Sequence, residues 1–92
     1  MEPRAPSLHS LRHEIASIDA DLVRLLAARR EVSERLRALK AREGTPRLDA
    51  TREDAVRAAW RASASAEGVP ESLALAVLEL VLADSRAIVS AP

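Results

Sequence analysis

Apolar residues recur in steps of three and four along the first part of the chain: Leu8, Leu11, Ile15, Ile18, Leu22, Leu25, then Val32, Leu36 and Leu39, with Arg29 holding the one seam position that is a cation. The alternation holds without a slip. It predicts one long amphipathic helix over Leu8 to Lys40, with an apolar seam and a guanidinium set into it. No Gly or Pro interrupts the run, and Ala, Leu, Arg and Glu, all good helix formers, dominate it. Ser7 suits the N-cap. Gly44-Thr45-Pro46 predicts the end of the helix around Ala41 to Glu43.

Asp49 is a good N-cap for a second helix, with Thr51 and Asp54 a weaker alternative. That helix carries Ala55, Val56, Ala59, Trp60 and Ala62 and fades near Glu67. Gly68-Val69-Pro70 reads as a stop followed by a start, with Pro70 in the first helical position. A third helix follows over about Pro70 to Ser90, with Glu71 in its first turn, where a negative charge suits the helix dipole. Its stripe is Leu75, Leu78, Leu82, Ser85 and Val89. Leu73, Val77, Leu80 and Val81 line neighbouring faces, so most of this helix is expected to be buried. No strand pattern and no internal repeat is visible. The predicted fold class is all-α, with three helices, one long and two shorter. Residues 1–6 hold two of the five prolines and read as a disordered lead-in. Residues 7–90 then form a single helical domain.

Size changes this picture. The first helix would be about 50 Å long at 1.5 Å per residue. A compact monomer of this chain length has a radius of gyration of only about 12–13 Å. The seam therefore outruns what the rest of one chain can cover, and a second chain is the expected cover. Composition agrees: 48% of the 92 residues are hydrophobic, but there is one Trp and no Phe or Tyr, so a lone chain has a thin core. Lys plus Arg and Asp plus Glu number 14 each, which gives no pull toward nucleic acid or an anionic membrane. The chain has no Cys, which excludes disulfides, thiolate catalysis and cysteine-ligated metals. No apolar run approaches a membrane span, and Met1-Glu2-Pro3-Arg4 lacks the layout of a secretion signal. The expected location is the cytoplasm. His9 and His13 sit one turn apart, but no third ligand is in view, so they read as solvated histidines and no metal is expected.

The cations divide by helix geometry. Arg29 and Lys40 are separated by about three full turns, so they point the same way, roughly 16 Å apart along the axis. Long side chains can converge from there on one small anion. Arg12 lies roughly 25 Å from Arg29 along the axis and about a quarter-turn away. It cannot serve the same pocket from the same chain. In an antiparallel pair of such helices, Arg12 of one chain approaches the Arg29–Lys40 half of the other. A short loop returns the second helix, so its first turn, with Asp49, Arg52 and Glu53, lies near Lys40. Helix N-termini also favour anions. With the Ser85 hydroxyl these residues suit a small polyanion carrying a hydroxyl group. A purely structural alternative stays open: a seam Arg can fix register by pairing with Glu across a coiled-coil interface. Arg30, Arg35 and Arg37 read as solvated or paired with Glu31 and Glu34.

The sequence resembles the all-helical (AroQ-type) chorismate mutases. The matching segments are Leu11-Arg12-His13-Glu14-Ile15 with Ile18-Asp19, then Leu25-Leu26-Ala27-Ala28-Arg29-Arg30-Glu31, then Lys40, then Pro46 with Asp49-Ala50-Thr51-Arg52-Glu53, and finally Asp84-Ser85. The likeness runs from about Leu8 to Ile88, specific over the first two helices and weaker over the third. It implies three helices per chain interlocked in a homodimer, each active site borrowing Arg12 from the partner. It implies an isomerase that turns chorismate into prephenate by an intramolecular Claisen rearrangement, a step of the shikimate pathway toward aromatic amino acids. No cofactor is implied. By resemblance, Arg12 and Arg29 each bind a carboxylate of a small dicarboxylate substrate, and Lys40 donates to the breaking ether oxygen. Asp49 and Glu53 position the ring hydroxyl, Arg52 supports the pocket electrostatically, and Ser85 lies near the ring carboxylate.

One position departs from the family pattern. Four residues after the matching Ser, relatives carry Gln or Glu as a second donor to the ether oxygen; here that residue is Val89, which cannot donate. Losing one such donor costs on the order of 10²–10³ in rate. Ser90 is about 100° away around the helix, and Arg86 is expected to face elsewhere unless the helix end shifts. Three readings follow: a weak chorismate mutase, a mutase for a related substrate such as 4-amino-4-deoxychorismate in secondary metabolism, or a helical dimer that has lost activity and binds a ligand or a partner enzyme of the pathway. An isochorismate-pyruvate lyase on the same scaffold is a separate alternative that nothing in the motifs favours.

Overall fold

The computed structural model describes residues 5–92, and among these all regular structure is helical: α1 (Leu8–Glu43), α2 (Ala50–Glu67) and α3 (Glu71–Val89). Residues 1–4 of the expected lead-in lie outside the described residues; Ala5 and Pro6 are exposed and form no regular element.

The helix ends follow local chemistry. At the start of α1, the Ser7 Oγ accepts from the Ser10 N–H at 3.0 Å, and the Ser10 Oγ accepts from the Ser7 N–H at 2.9 Å. This reciprocal cap satisfies two backbone donors that the helix leaves unpaired. Asp49 caps α2 as expected, its Oδ1 accepting from the Arg52 N–H at 3.0 Å. The two glycines end α1 and α2 in the left-handed region, Gly44 at φ 68° and Gly68 at φ 70°. Beyond each glycine an N–H reaches five residues back, Thr45 to the Lys40 carbonyl at 3.1 Å and Val69 to the Ala64 carbonyl at 2.8 Å. Both are Schellman-type ends, which need the positive φ that glycine tolerates.

Pro70 differs from expectation by one place. It is the N-cap of α3, at φ −56° and ψ 132°, rather than its first helical residue. Its carbonyl accepts from the Leu73 and Ala74 N–H groups, both at 3.1 Å. A proline caps as well as it starts a helix, because the missing N–H is not needed at either position.

By internal packing the chain falls into two units, Met1–Glu31 and Val32–Pro92. Over its described residues the first is the leading part of α1. Its seam residues Leu8, Leu11, Ile15, Ile18, Leu22 and Leu25 are all exposed, Leu25 at 66%. The second unit holds the end of α1 and the α2–α3 hairpin. The core lies between α2 and α3: Ala64 from α2 and Ala74, Leu78, Val81, Leu82, Ile88 and Val89 from α3, with Leu78 fully buried. The predicted α3 stripe is therefore the one that packs. The expectation that most of α3 is buried does not hold within one chain, since Leu73, Val77 and Leu80 stay exposed, Leu80 at 75%. On the end of α1 the covered positions are Ser33, Arg37 and Lys40, one step round from the seam, whose Val32, Leu36 and Leu39 remain exposed.

Opposite charges register the hairpin. Arg86 near the end of α3 pairs with Glu53 near the start of α2, Arg57 pairs with Glu79 at 2.7 Å, and Arg61 pairs with Glu71 at 3.2 Å. The order of these pairs along the chain makes the two helices antiparallel.

Candidate functional site

Two of the expected site residues lie in the first unit. Arg12 is exposed on α1, and Arg29 is half-buried one turn beyond Leu25. The other six lie in the second unit, on three elements.

Lys40 is half-buried in the last turn of α1, and its Nζ donates to the Arg47 carbonyl at 3.0 Å. Arg47 in turn donates from Nη1 to the Ala91 carbonyl at 2.7 Å and, more weakly, to the Ser90 carbonyl at 3.4 Å. A cation placed there satisfies carbonyls that the end of α3 leaves without helical donors. The ammonium of Lys40, the α1–α2 loop and the end of α3 are thus tied together. Arg47 went unremarked in the sequence, since nothing local marks a loop arginine as the clamp of a helix end more than 40 residues away.

Ser85 and Val89 occupy that last part of α3. The Ser85 Oγ donates to the Val81 carbonyl at 3.0 Å and is half-buried. Val89 is only 6% exposed and belongs to the hairpin core. Burial of an aliphatic side chain explains the residue type without reference to a ligand.

Asp49 and Arg52 are exposed at the start of α2, joined through the cap. Glu53, in the same turn, is half-buried and engaged. The Arg86 Nε donates to Glu53 Oε2 and the Arg86 Nη2 donates to Oε1, both at 2.8 Å. This is the two-pronged geometry in which guanidinium grips carboxylate most firmly. Arg57 Nη2 stands 3.7 Å from the same Oε1. Arg57 is itself held by Asp54 at 3.0 Å and by Glu79. Arg86, expected to face elsewhere unless the helix end shifts, crosses from α3 onto Glu53, a candidate site carboxylate. A signal was present in the sequence. Glu53 and Arg57 share a face of α2, Glu79 and Arg86 share a face of α3, and an antiparallel hairpin aligns them with opposite charges in register.

Electrostatics follow the geometry. The hydrogen bond from Arg86 holds the Glu53 carboxyl below its ordinary value, against a smaller opposing push from desolvation. The hydrogen bond from Arg57 does the same for Glu79, and Arg86 and Arg57 are correspondingly raised. All four groups are ionised at neutral pH. An ionised Glu53 can only accept hydrogen bonds, so a ligand group meeting it must donate.

Among the described residues no group of three or more His, Cys, Asp or Glu is placed to hold a metal ion, and no helix is long and apolar enough to cross a membrane. What the second unit offers is an ammonium at the end of α1, a carboxylate and cap at the start of α2, and a hydroxyl on α3. Such groups can hold and polarise an anionic ligand; none is a nucleophile activated by a neighbouring base. Residues 11–89 match the family model described as chorismate mutase type II. No curated protein and no solved structure matched the chain.

Proposed function

The chain belongs to the chorismate mutase type II family, and on that premise we propose that it is an isomerase catalysing the Claisen rearrangement of chorismate to prephenate, or of the 4-amino-4-deoxy analogue to its counterpart. The observation that carries the reading is the family match over residues 11–89, a span that contains Arg12, Arg29, Lys40, Arg52 and Glu53.

The rearrangement is unimolecular. The ether C–O bond breaks as a C–C bond forms at the other end of the same six-atom array, so no atom or electron enters or leaves. A catalyst has two tasks. It must hold the flexible dianion in the compact shape that reacts, and it must stabilise the negative charge that grows on the ether oxygen. Arg29 and the partner subunit's Arg12 take the two carboxylates, each guanidinium matching a carboxylate in bidentate fashion. Lys40 exchanges the Arg47 carbonyl for the ether oxygen. Glu53 accepts from the ring C4 substituent, Asp49 assists it, Arg52 adds positive potential, and Ser85 faces the ring carboxylate.

The working unit in this reading is a homodimer of single-domain chains, since Arg12 serves the site of the other copy. Support comes from the exposed seam of α1, which is the kind of extended apolar surface that marks an interface. The small dicarboxylate substrate and a cytoplasmic location complete the proposal.

The test is to incubate purified protein with each compound and follow loss of the enol-ether absorbance. Acceleration of at least one reaction is the expected result; acceleration of neither sinks the proposal. A second reading, a dimer that gains activity only in complex with a partner enzyme, draws on Val89 in place of a donor. Activity appearing only in such a complex would favour it.

A further inference from the structure

Glu53 is the group that would meet the ring C4 substituent, and a bare carboxylate there accepts from a hydroxyl or pairs with an ammonium equally well. In this molecule the carboxylate is not bare. Both its oxygens are taken by Arg86 at 2.8 Å. Arg57, whose Nη2 stands 3.7 Å from Oε1, is shared with Asp54 and Glu79, so Arg86 is the cation that answers Glu53 directly, within a cluster of three carboxylates and two guanidiniums.

We propose that Arg86 is a specificity-determining residue: by pairing with Glu53 it turns that carboxylate into a charge-paired acceptor and selects a substrate with a hydroxyl over one with an ammonium. The inference rests on the mutase reading and narrows it to one of its two substrates. The physical reasoning is short. A paired carboxylate keeps lone pairs free on both oxygens, so it still accepts a hydrogen bond from a neutral hydroxyl. With its own charge paired it offers an ammonium less to repay the cost of leaving water, and the guanidinium beside it repels one directly. The depressed Glu53 carboxyl and the raised Arg86 keep the pair ionised across the neutral range. Arg86 occupies the turn of α3 directly after Ser85, so it enters the hairpin edge from the same helix as a candidate ligand residue without contacting substrate in this scheme.

The experiment compares kcat/KM for chorismate and for 4-amino-4-deoxychorismate in the full-length wild type, in Arg86→Gln and in Arg86→Lys, with folding checked by circular dichroism. Wild type is expected to favour chorismate by about tenfold or more, Arg86→Gln to narrow that ratio about tenfold, and Arg86→Lys to keep most of it. Glu53→Gln serves if Arg86→Gln does not fold, and it should widen the ratio, because the Arg86 charge then stands alone. An unchanged ratio in a folded Arg86→Gln or Glu53→Gln, or a wild-type preference for the amino compound, overturns the inference and leaves the mutase reading standing. Turnover of neither compound by wild type overturns both.

Discussion

In the proposed reaction Lys40 serves structure and chemistry by turns. Its Nζ rests on the Arg47 carbonyl at 3.0 Å, half-buried at the end of α1. A backbone carbonyl is a neutral acceptor, and an ether oxygen gaining negative charge is a stronger one, so exchange favours the transition state over the resting protein. Lys40→Ala is expected to lower kcat by about 10²-fold or more while the helical circular dichroism signal stays. Wild-type kinetics in the folded variant would show that the ammonium serves only the loop. Val89 poses the opposite case. It is buried, so Val89→Gln brings an amide into the hairpin core at a cost of about 1–3 kcal/mol. Where the amide reaches the ether oxygen, the rate on chorismate rises about tenfold or more. A lower melting temperature with a higher rate is the expected pair of results; a lower temperature with no gain in rate would mean that position 89 is core alone.

At the scale of elements, the sequence was most legible where structure is local. The caps at Ser7 and Asp49, the glycine ends at Gly44 and Gly68, and the stripe Leu75, Leu78, Leu82 each depend on residues within one or two turns, and each was readable. The Arg86–Glu53 pair, whose charge pattern becomes a signal only once the hairpin's register is known, and the Arg47 clamp were not. They depend on the register between helices, and a residue's angle on its own helix does not disclose what lies opposite. The α2–α3 charge ladder also makes hairpin stability depend on pH. Glu53 and Glu79 are held below the ordinary glutamate value by Arg86 and Arg57. A carboxyl depressed in the folded state binds protons more readily when unfolded. Its contribution is therefore complete above the unfolded value of about 4.3 and is lost as pH falls through the lower folded value. Thermal melts from pH 7 to pH 3 should show the melting temperature dropping below about pH 4.5, with a shallower drop in Glu53→Gln. Equal slopes for the two proteins would remove the pair from the account of acid stability.

The whole molecule is where one chain falls short. Leu8, Leu11, Ile15, Ile18, Leu22 and Leu25 stand exposed along α1, and Leu73, Val77 and Leu80 along α3. Burying one such side chain fully is worth about 1.5–3 kcal/mol, so covering the seam offers a gain comparable to the whole marginal stability of a small domain. The 3-4 repeat disclosed that seam at once. Its partner was not written in any local pattern, since an apolar stripe does not say what covers it. The proposed cover is a second copy, arranged so that Arg12 of each chain serves the site holding Arg29 and Lys40 of the other.

Shared sites can be tested by mixing two dead variants. Arg12→Ala and Arg29→Ala should each be inactive as homodimers. In a heterodimer of the two, one site carries both substitutions and the other carries neither, as two-fold symmetry requires. Unfolding the variants together, refolding them and assaying the mixture on chorismate should restore about one quarter of the wild-type activity, because half the dimers are mixed and each has one intact site. A mixture no more active than its components would contradict a site built across two chains.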